Sequence, residues 1–277
     1  MPDRPQDSGK REYILLYLIS TMATAERPVG FTSRPPHNVA MMPTVVNAFG
    51  QPIGPAVPGW VPPPTPPHET MTGRYVSLEP IDERFAADLH AANALDADGR
   101  MWTYLPYGPF ADLDTYRDWM RATCTDADPL FFALVDAATG RAAGAAAYLR
   151  ITPAAGAIEV GHLQFSPLVQ RTRAATEAMA LMMRRAFDLG YRRYEWKCDA
   201  LNAASRAAAE RLGFTFEGLF RQATVYKGRS RDTAWYSVID TEWPRLRRAF
   251  DAWLDPANFD AGGRQRTRLS ALTRASE

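Results

Sequence analysis

The sequence predicts an α/β (α+β) fold, with a mixed and mostly antiparallel β-sheet that carries helices on both faces. Runs with strand character alternate with helical runs, in the order strand, two helices, two to three strands, helix, strand, helix, two strands. Two of the strand pairs are separated only by turn residues, as in antiparallel hairpins. One strand instead leads through a compact loop into a long helix, at 158–189, and the rest of the fold is expected to form around it.

The first elements of the folded region are a strand and two helices. Residues 74–78 alternate as in a strand. Asp82 is expected to cap one helix and Asp114 a second, because a carboxylate accepts hydrogen bonds from the free N–H groups of a first helical turn. A loop rich in aromatic residues, 101–110, lies between these two helices.

The next strands are apolar enough to lie inside a sheet. Residues 130–135 and 142–150 are predicted to pair as a hairpin, and 158–165 is predicted to be a central strand. Ser166 and Pro167 end that strand, because proline cannot donate a hydrogen bond to a neighbouring strand.

A long helix and the last strands complete the predicted order. Residues 170–175 form a compact loop, and from Thr176 the apolar residues recur on one helical face until Gly190. A strand is predicted at 194–198 and an alanine-rich helix at 202–212. The list of elements ends with a hairpin whose arms are 214–225 and 233–240.

Composition excludes several classes of protein. The chain of 277 residues has a formal net charge of +1, so charge does not indicate nucleic-acid binding. Two cysteines are too few for a disulfide scaffold and fit a reducing, cytoplasmic setting. The apolar run at 13–19 is far shorter than the roughly 20 residues that span a bilayer. No cluster of cysteine and histidine has the spacing of metal ligands, so no metal is expected.

The composition also changes along the chain. Residues 1–41 are expected to be a disordered or dispensable extension. Residues 42–70 are a proline-rich arm, expected to pack along the domain through Trp60; the alternative is a ligand for a proline-binding module. The folded domain is expected at 71–243. An arginine-rich helix or tail at 244–277 is expected to be solvated, with contact to an acidic partner or ribosomal RNA as the alternative.

The central strand, loop and helix have the form of an anion site. Several backbone N–H groups point outward at a helix N-terminus, and the helix dipole favours negative charge there. Arg171 and Arg173 add two cations on the same loop, so the inferred ligand is a pyrophosphate. An ordinary loop with two solvated arginines is the alternative.

Several motifs in this order resemble the GNAT superfamily of acetyl-CoA-dependent N-acetyltransferases. They are the strand, loop and helix at 158–189, Asn202 with Ser205 three residues on, and the Arg-Leu-Gly-Phe sequence at 211–214. The resemblance covers about 71–243 and is nearest to the RimJ/RimL-like branch, whose members acetylate N-terminal amines of ribosomal proteins. It implies direct acetyl transfer to a primary amine in a ternary complex. The alternative is a non-catalytic module that binds acyl-CoA or another protein.

The resemblance also implies an acetyl-CoA site. Gln170 and Ala175 fill the first and last positions of the family's loop, whereas Arg173 stands where glycine is usual. An arginine is tolerated there only with a negative φ and a side chain that turns away or onto a phosphate. The strands at 158–165 and 194–198 are expected to splay apart and admit pantetheine. The implied contacts are Leu163, Phe165, Gln170, Arg171, Thr172, Arg173, Ala174, Ala175, Thr176 and Asn202.

Three residues are candidates for catalysis. The resemblance makes Glu159 the first candidate for the base, with an ion pair to an arginine as the alternative. His162 is the reserve base; in a regular strand it would face away from Glu159, and only a bulge would change that. A buried core histidine is its alternative. Ser205 is the candidate acid for the leaving thiolate, with helix capping or packing as the alternative.

The aromatic loop is the candidate acceptor pocket. Trp102, Tyr104 and Tyr107 could cover an apolar acceptor side chain, or they could form a small core of their own. The expected partners are acetyl-CoA and an amine acceptor, which includes a ribosomal or other protein N-terminus and small amines. No membrane partner is expected.

Overall fold

A computed structural model describes residues 45–274 of the protein. It divides into two compact units, with the boundary between Pro58 and Gly59. The described part of the first unit is a small hairpin of strands β1 (Val45–Val46) and β2 (Pro52–Ile53). The predictions for residues 1–41 lie outside the described residues.

The second unit holds the remaining strands and all of the described α-helices. Its strands are β3 (Met71–Thr72), β4 (Val76–Pro80), β5 (Leu130–Asp136), β6 (Ala142–Thr152), β7 (Ala157–Phe165), β8 (Arg193–Asp199), β9 (Thr215–Tyr226) and β10 (Arg229–Ile239). Its helices are α1 (Ala86–Asn93), α2 (Leu113–Thr123), α3 (Arg173–Asp188), α4 (Ala203–Arg211), α5 (Trp243–Leu254) and α6 (Leu269–Arg274). None of the helices within 45–274 is both long and apolar enough to cross a bilayer.

The eight strands form one mixed sheet, in the order β3-β4-β5-β6-β7-β8-β10-β9. All neighbours are antiparallel except β7 and β8. The parallel pairing begins at Ala157 opposite Arg193 and ends at Val160 opposite Trp196. Beyond this point the two strands part, which confirms the predicted splayed pair.

A separate apolar core covers each face of the sheet. The larger core packs α3, α4, α5 and α6 against one face, with Tyr148, Ile158 and Trp196 among its sheet residues. The second core packs α1 and α2 against the other face, around Phe131 and Ala147. Side chains alternate across a strand, so β7 contributes residues to both faces. The helices on both faces were predicted from the sequence.

Two helix starts differ from the predicted ones. Helix α3 begins at Arg173 rather than Thr176, because the Thr172 hydroxyl accepts a hydrogen bond from Ala175 N–H and starts the helix early. Helix α2 is capped by Asp112 rather than Asp114, since Asp112 and Thr115 form a reciprocal capping box. Apolar spacing does not detect such starts, because polar capping side chains decide where the first turn begins.

The expectation of a solvated C-terminal tail is wrong for helices α5 and α6, whereas residues 260–268 between them are exposed. Helix α5 places Leu246, Phe250 and Trp253 in the larger core, and Leu269 of α6 is fully buried beside them. The arginines of α5 alternate with these apolar residues, so the helix is amphipathic. The folded domain therefore extends beyond residue 243.

From Trp60 onward the proline-rich arm belongs to the second unit and makes specific contacts within it. A Cβ on Gly156 would lie 2.4 Å from the Trp60 ring, so glycine allows the indole to approach the backbone. The Arg192 guanidinium lies 5.4 Å from the centre of the same ring. The Tyr191 hydroxyl donates to the Pro64 carbonyl at 3.2 Å. These contacts favour an arm packed along the domain.

Candidate active site

The loop between β7 and α3 is held in shape by its own backbone. The Ser166 carbonyl accepts hydrogen bonds from Val169 and Gln170 N–H at 3.0 and 3.1 Å. The Gln170 side chain donates to the Phe165 carbonyl at 2.7 Å. This compact turn carries the chain directly from the end of β7 into the first turn of α3.

The N-terminus of α3 presents free donors. Ala175 N–H donates to the Thr172 hydroxyl and Thr176 N–H to the Thr172 carbonyl. Arg173 N–H and Ala174 N–H have no acceptor among the described residues. Two free N–H groups and the helix dipole fit a pyrophosphate, as the loop sequence predicts.

The two arginines of the loop behave differently. Arg171 is exposed and has a left-handed backbone, with φ of 62°. Arg173 lies within the helix, and its guanidinium is 4.8 Å from the centre of the Tyr75 ring and 4.7 Å from that of Phe259. Its side chain therefore turns away from the loop, which is the condition under which arginine can replace glycine. The backbone N–H of Arg173 remains available to a phosphate.

Glu177, near the start of α3, has a clear structural role. It is buried, and its carboxylate accepts hydrogen bonds from Arg74, Tyr75 and Val76 N–H. A Cβ on Gly73 would lie 2.5 Å from this carboxylate. Glu177 thus ties the first turn of α3 to the start of β4.

Helix α4 brings Ser205 to the point where β7 and β8 part. Asn202 caps the helix, because its side chain accepts from Ser205 N–H at 3.0 Å. The Ser205 hydroxyl accepts from the Trp196 indole N–H at 3.0 Å, and Trp196 is the last residue of β8 paired with β7. Burial raises the pKa of the nearby Cys198 thiol, although the Ser205 hydroxyl opposes this effect. The raised pKa disfavours the thiolate form that a cysteine nucleophile requires.

A bulge in β7 decides where His162 points. Gly161 pairs with Ala147 and Gln164 with Ala145, so His162 and Leu163 together lie opposite one residue of β6. His162 has a φ of 51°. The centre of its ring lies 5.6 Å from that of the stacked Tyr107 ring and 5.1 Å from that of Phe131. The bulge therefore turns His162 away from the face expected for a regular strand. Its side chain lies on the face of the sheet that carries the second core.

Four side chains form a hydrogen-bonded chain that ends at His162. The Tyr116 hydroxyl donates to Gln164 Oε1 at 3.1 Å, and Gln164 Nε2 donates to the Tyr107 hydroxyl at 3.3 Å. The Tyr107 oxygen lies 3.1 Å from His162 Nδ1. Sequence reasoning missed Gln164 and Tyr116; a glutamine inside an apolar strand was the one available signal.

Burial controls the protonation of this chain. Burial, with a smaller contribution from the charge of Arg150, lowers the pKa of His162 to about 4. Burial also raises the pKa of Tyr107 and Tyr116. Both tyrosines and the histidine are therefore neutral near pH 7.

Glu159 lies in a buried ionic cluster. It is 2% exposed, and Arg150 donates to its two carboxylate oxygens at 2.7 and 2.9 Å. Lys197 lies 2.9 Å from one of these oxygens and 2.6 Å from Glu195. These contacts correspond to the ion-pair alternative that the sequence left open.

The aromatic loop spans the gap between the splayed strands. Tyr107 contacts His162 of β7, while the Tyr104 hydroxyl donates to the Leu201 carbonyl, just after β8, at 3.2 Å. Lys227 Nζ donates to the Trp102 and Gly108 carbonyls at 2.7 and 3.2 Å. Trp102 itself is 4% exposed and belongs to the second core, which corresponds to the core alternative for the aromatic loop. Within 45–274, no group of three or more His, Cys, Asp or Glu side chains is placed to hold a metal ion.

Comparison with known proteins identifies the class to which this fold and site belong. Residues 76–215 match the acetyltransferase (GNAT) domain family. A GCN5-related N-acetyltransferase from Brucella melitensis is 46% identical, with a TM-score of 0.77, over 79% of this chain and 100% of its own. A GNAT-family protein from Chromobacterium violaceum is 44% identical, with a TM-score of 0.66, over 70% of this chain and 98% of its own. No curated protein matches the chain.

The chain therefore belongs to the GNAT family of acetyltransferases and is an N-acetyltransferase. A more distant structure has the same fold. It is the microcin C7 self-immunity acetyltransferase, crystallised with acetyl-CoA and AMP, which is 20% identical with a TM-score of 0.55. That match covers 63% of this chain and 98% of the other.

Proposed function

We propose that this enzyme transfers the acetyl group of acetyl-CoA to a primary amine by direct attack in a ternary complex. The observation that carries the proposal is the end of β7–β8 pairing at Val160 and Trp196, together with the free N–H groups at the start of α3. An open strand edge suits the amide groups of pantetheine, and a helix N-terminus suits a pyrophosphate.

Residues of four elements would hold acetyl-CoA. The edge of β7 from Gly161 to Phe165 faces the gap, and Asn202 lies at its far side. The loop Gln170–Thr172 and the N–H groups of Arg173 and Ala174 would bind the pyrophosphate. Ala175 and Thr176 serve the site indirectly, since their N–H groups already bond to Thr172.

The reaction forms an N–C bond and breaks a C–S bond. The acceptor nitrogen loses a proton, and the leaving sulfur gains one. Ser205 is the proposed acid, because its oxygen accepts the Trp196 N–H and leaves its own proton to donate. Its position at the parting of the strands supports this role.

Neither candidate base is well suited to remove a proton from a charged ammonium group. Both oxygens of Glu159 are held by cations, and His162 binds a proton weakly. We therefore propose that the acceptor enters as the free amine and that water carries its proton away. An α-amino group has a pKa near 8, against about 10.4 for lysine, so a protein or peptide N-terminus is favoured. This preference also agrees with a RimJ/RimL-like activity.

Acetyl-CoA consumption with a panel of amines tests the proposal. The panel should contain peptides with free N-termini, N-blocked peptides with one lysine, and polyamines. Turnover that falls in Ser205→Ala, with unchanged affinity for acetyl-CoA, would support catalysis and the proposed acid. Tight binding of acetyl-CoA without turnover of any amine would favour the non-catalytic alternative.

A further inference from the structure

The bulge in β7 places His162 two residues beyond the last pair of β7 and β8. Its ring lies on the face of the sheet that carries α2 and the aromatic loop, opposite the face that carries α3 and α4. On the proposed function, the acceptor approaches the acetyl group from this side. His162 is therefore well placed to contact the reacting atoms.

The hydrogen-bonded chain favours one of the two ring nitrogens of His162 as the site of the proton. An amide oxygen only accepts and an amide nitrogen only donates, so Tyr116 must donate to Gln164 Oε1 and Gln164 Nε2 must donate to Tyr107. Tyr107 thus accepts from Gln164 and keeps its own proton available to donate to His162 Nδ1, 3.1 Å away. A neutral imidazole that accepts at Nδ1 carries its proton on Nε2.

The ring is also held firmly in one orientation. Tyr107 stacks almost parallel to it, with 9° between the planes, and Phe131 contacts it at 5.1 Å. Nε2 has no hydrogen-bond partner among residues 45–274. A fixed donor without a protein acceptor is available to a ligand in the gap.

We propose that His162 acts as a neutral hydrogen-bond donor, through Nε2–H, to the acetyl carbonyl oxygen, and that Tyr107 and Gln164 are its positioning residues. The proposal rests on the proposed function. Negative charge develops on the carbonyl oxygen as the amine attacks, and a fixed donor stabilises it without reorganisation. His162 is then not the base, because the nitrogen that could accept a proton is occupied by Tyr107. The low proton affinity of the ring keeps it in the donor form at neutral pH.

Two substitutions at one position separate a donor from a base. His162→Gln keeps an N–H donor near the same place but cannot carry a proton, whereas His162→Ala removes both functions. The donor role predicts that kcat falls by less than about tenfold in the glutamine variant and by about 100-fold or more in the alanine variant. Equal, large losses in both variants, with unchanged affinity for acetyl-CoA, would overturn the proposal.

A measurement without turnover tests the same claim independently. In ¹⁵N-labelled enzyme, NMR should show the proton of His162 on Nε2. Its resonance should shift with acetyl-CoA but not with coenzyme A. Tyr107→Phe should weaken the preference for Nε2–H, while Tyr191→Phe, which loses a hydroxyl bonded to Pro64, should not.

The NMR result also distinguishes two kinds of failure. Absence of turnover with every amine would defeat the proposed function, yet the acetyl-dependent shift would still report the donor contact. A proton on Nδ1, or equal shifts with acetyl-CoA and coenzyme A, would overturn the inference whatever the activity.

Discussion

His162 is the most constrained residue of the candidate site. Its φ of 51° lies in the left-handed region, where residues with a Cβ are uncommon and strain costs roughly 1–3 kcal/mol. The stacked Tyr107 ring and the bulged strand hold it there. Strain of this kind persists where surrounding structure enforces it, which is common at active sites.

The buried ring of His162 should make stability depend on pH. Its pKa is about 4 in the folded protein and about 6.5 when unfolded, so between these values the unfolded chain binds the extra proton. Stability should therefore be complete above pH 6.5 and fall as pH drops toward 4. After allowance for partial exposure, the loss should be about 2 kcal/mol.

Urea unfolding of the wild type and His162→Gln at pH 7 and pH 4.5 measures this effect. The wild type should lose more stability than the variant on acidification, because other titrating groups are common to both. An equal loss in the two proteins would show that His162 does not titrate abnormally.

Glu159 should matter for charge balance rather than for proton transfer. Glu159→Gln leaves Arg150 and Lys197 with fewer partners, and removing one member of a buried ion pair costs about 3–5 kcal/mol. We expect lower stability but a pH profile of kcat that keeps the shape of the wild type. If the pH profile of kcat loses its acidic limb in Glu159→Gln, Glu159 would be the base.

At the scale of elements, the start of α3 is the feature on which the proposed pyrophosphate binding depends. Arg173 is its first residue, and Thr172 before it is extended, with φ of −95° and ψ of 168°. Proline is tolerated at a first helical position and after an extended residue. Arg173→Pro therefore removes one free N–H while preserving the helix.

Arg173→Pro should weaken coenzyme A binding about tenfold or more relative to Arg173→Ala, because a hydrogen bond to a charged group contributes roughly 1.5–3 kcal/mol. The alanine variant is the matched control, since both lose the contacts with Tyr75 and Phe259. Calorimetry with coenzyme A measures the difference. Equal affinities in the two variants would mean that the pyrophosphate does not bind at this N-terminus.

Elements with strong local signals could be predicted from the sequence. The hairpins, the order of the elements and the Asn202 cap follow from apolar spacing, turn residues and capping chemistry. The orientation of His162 could not be predicted, because a bulge inserts one residue without a mark in composition. Burial of Trp102 could not be predicted either, since it depends on packing beneath Gly108. The ionic cluster around Glu159 could not be predicted either, because Lys197 joins it from another strand.

At the scale of the molecule, the domain extends on both sides of the region that matches the family. Trp60 packs beside Gly156, and Trp253 lies under the Arg211 guanidinium, 5.0 Å from its ring centre. Arg211 donates in turn to Thr176 in the first turn of α3. Helix α5 is therefore linked through Arg211 to the first turn of α3, where the pyrophosphate is proposed to bind.

Truncation should reveal the contribution of the arm. Deleting 1–58 should leave the melting temperature nearly unchanged, because the second compact unit begins at Gly59. Deleting 1–67 removes Trp60 and the Pro64 contact and should lower it by several degrees, since 1 kcal/mol corresponds to about 2–4 °C in a domain of this size. Equal melting temperatures for the two truncations would show that the arm adds no stability.

The most direct test of the central claim is mass spectrometry of two matched peptides incubated with the enzyme and acetyl-CoA. One peptide has a free N-terminus and no lysine, and the other has a blocked N-terminus and one lysine. At neutral pH, we expect acetylation of the free α-amine, dependent on acetyl-CoA and reduced in Ser205→Ala, with little product on lysine. Preferential acetylation of lysine would contradict selection of a weakly basic amine. Absence of product on both peptides and on small amines, despite bound acetyl-CoA, would contradict the proposed transfer itself.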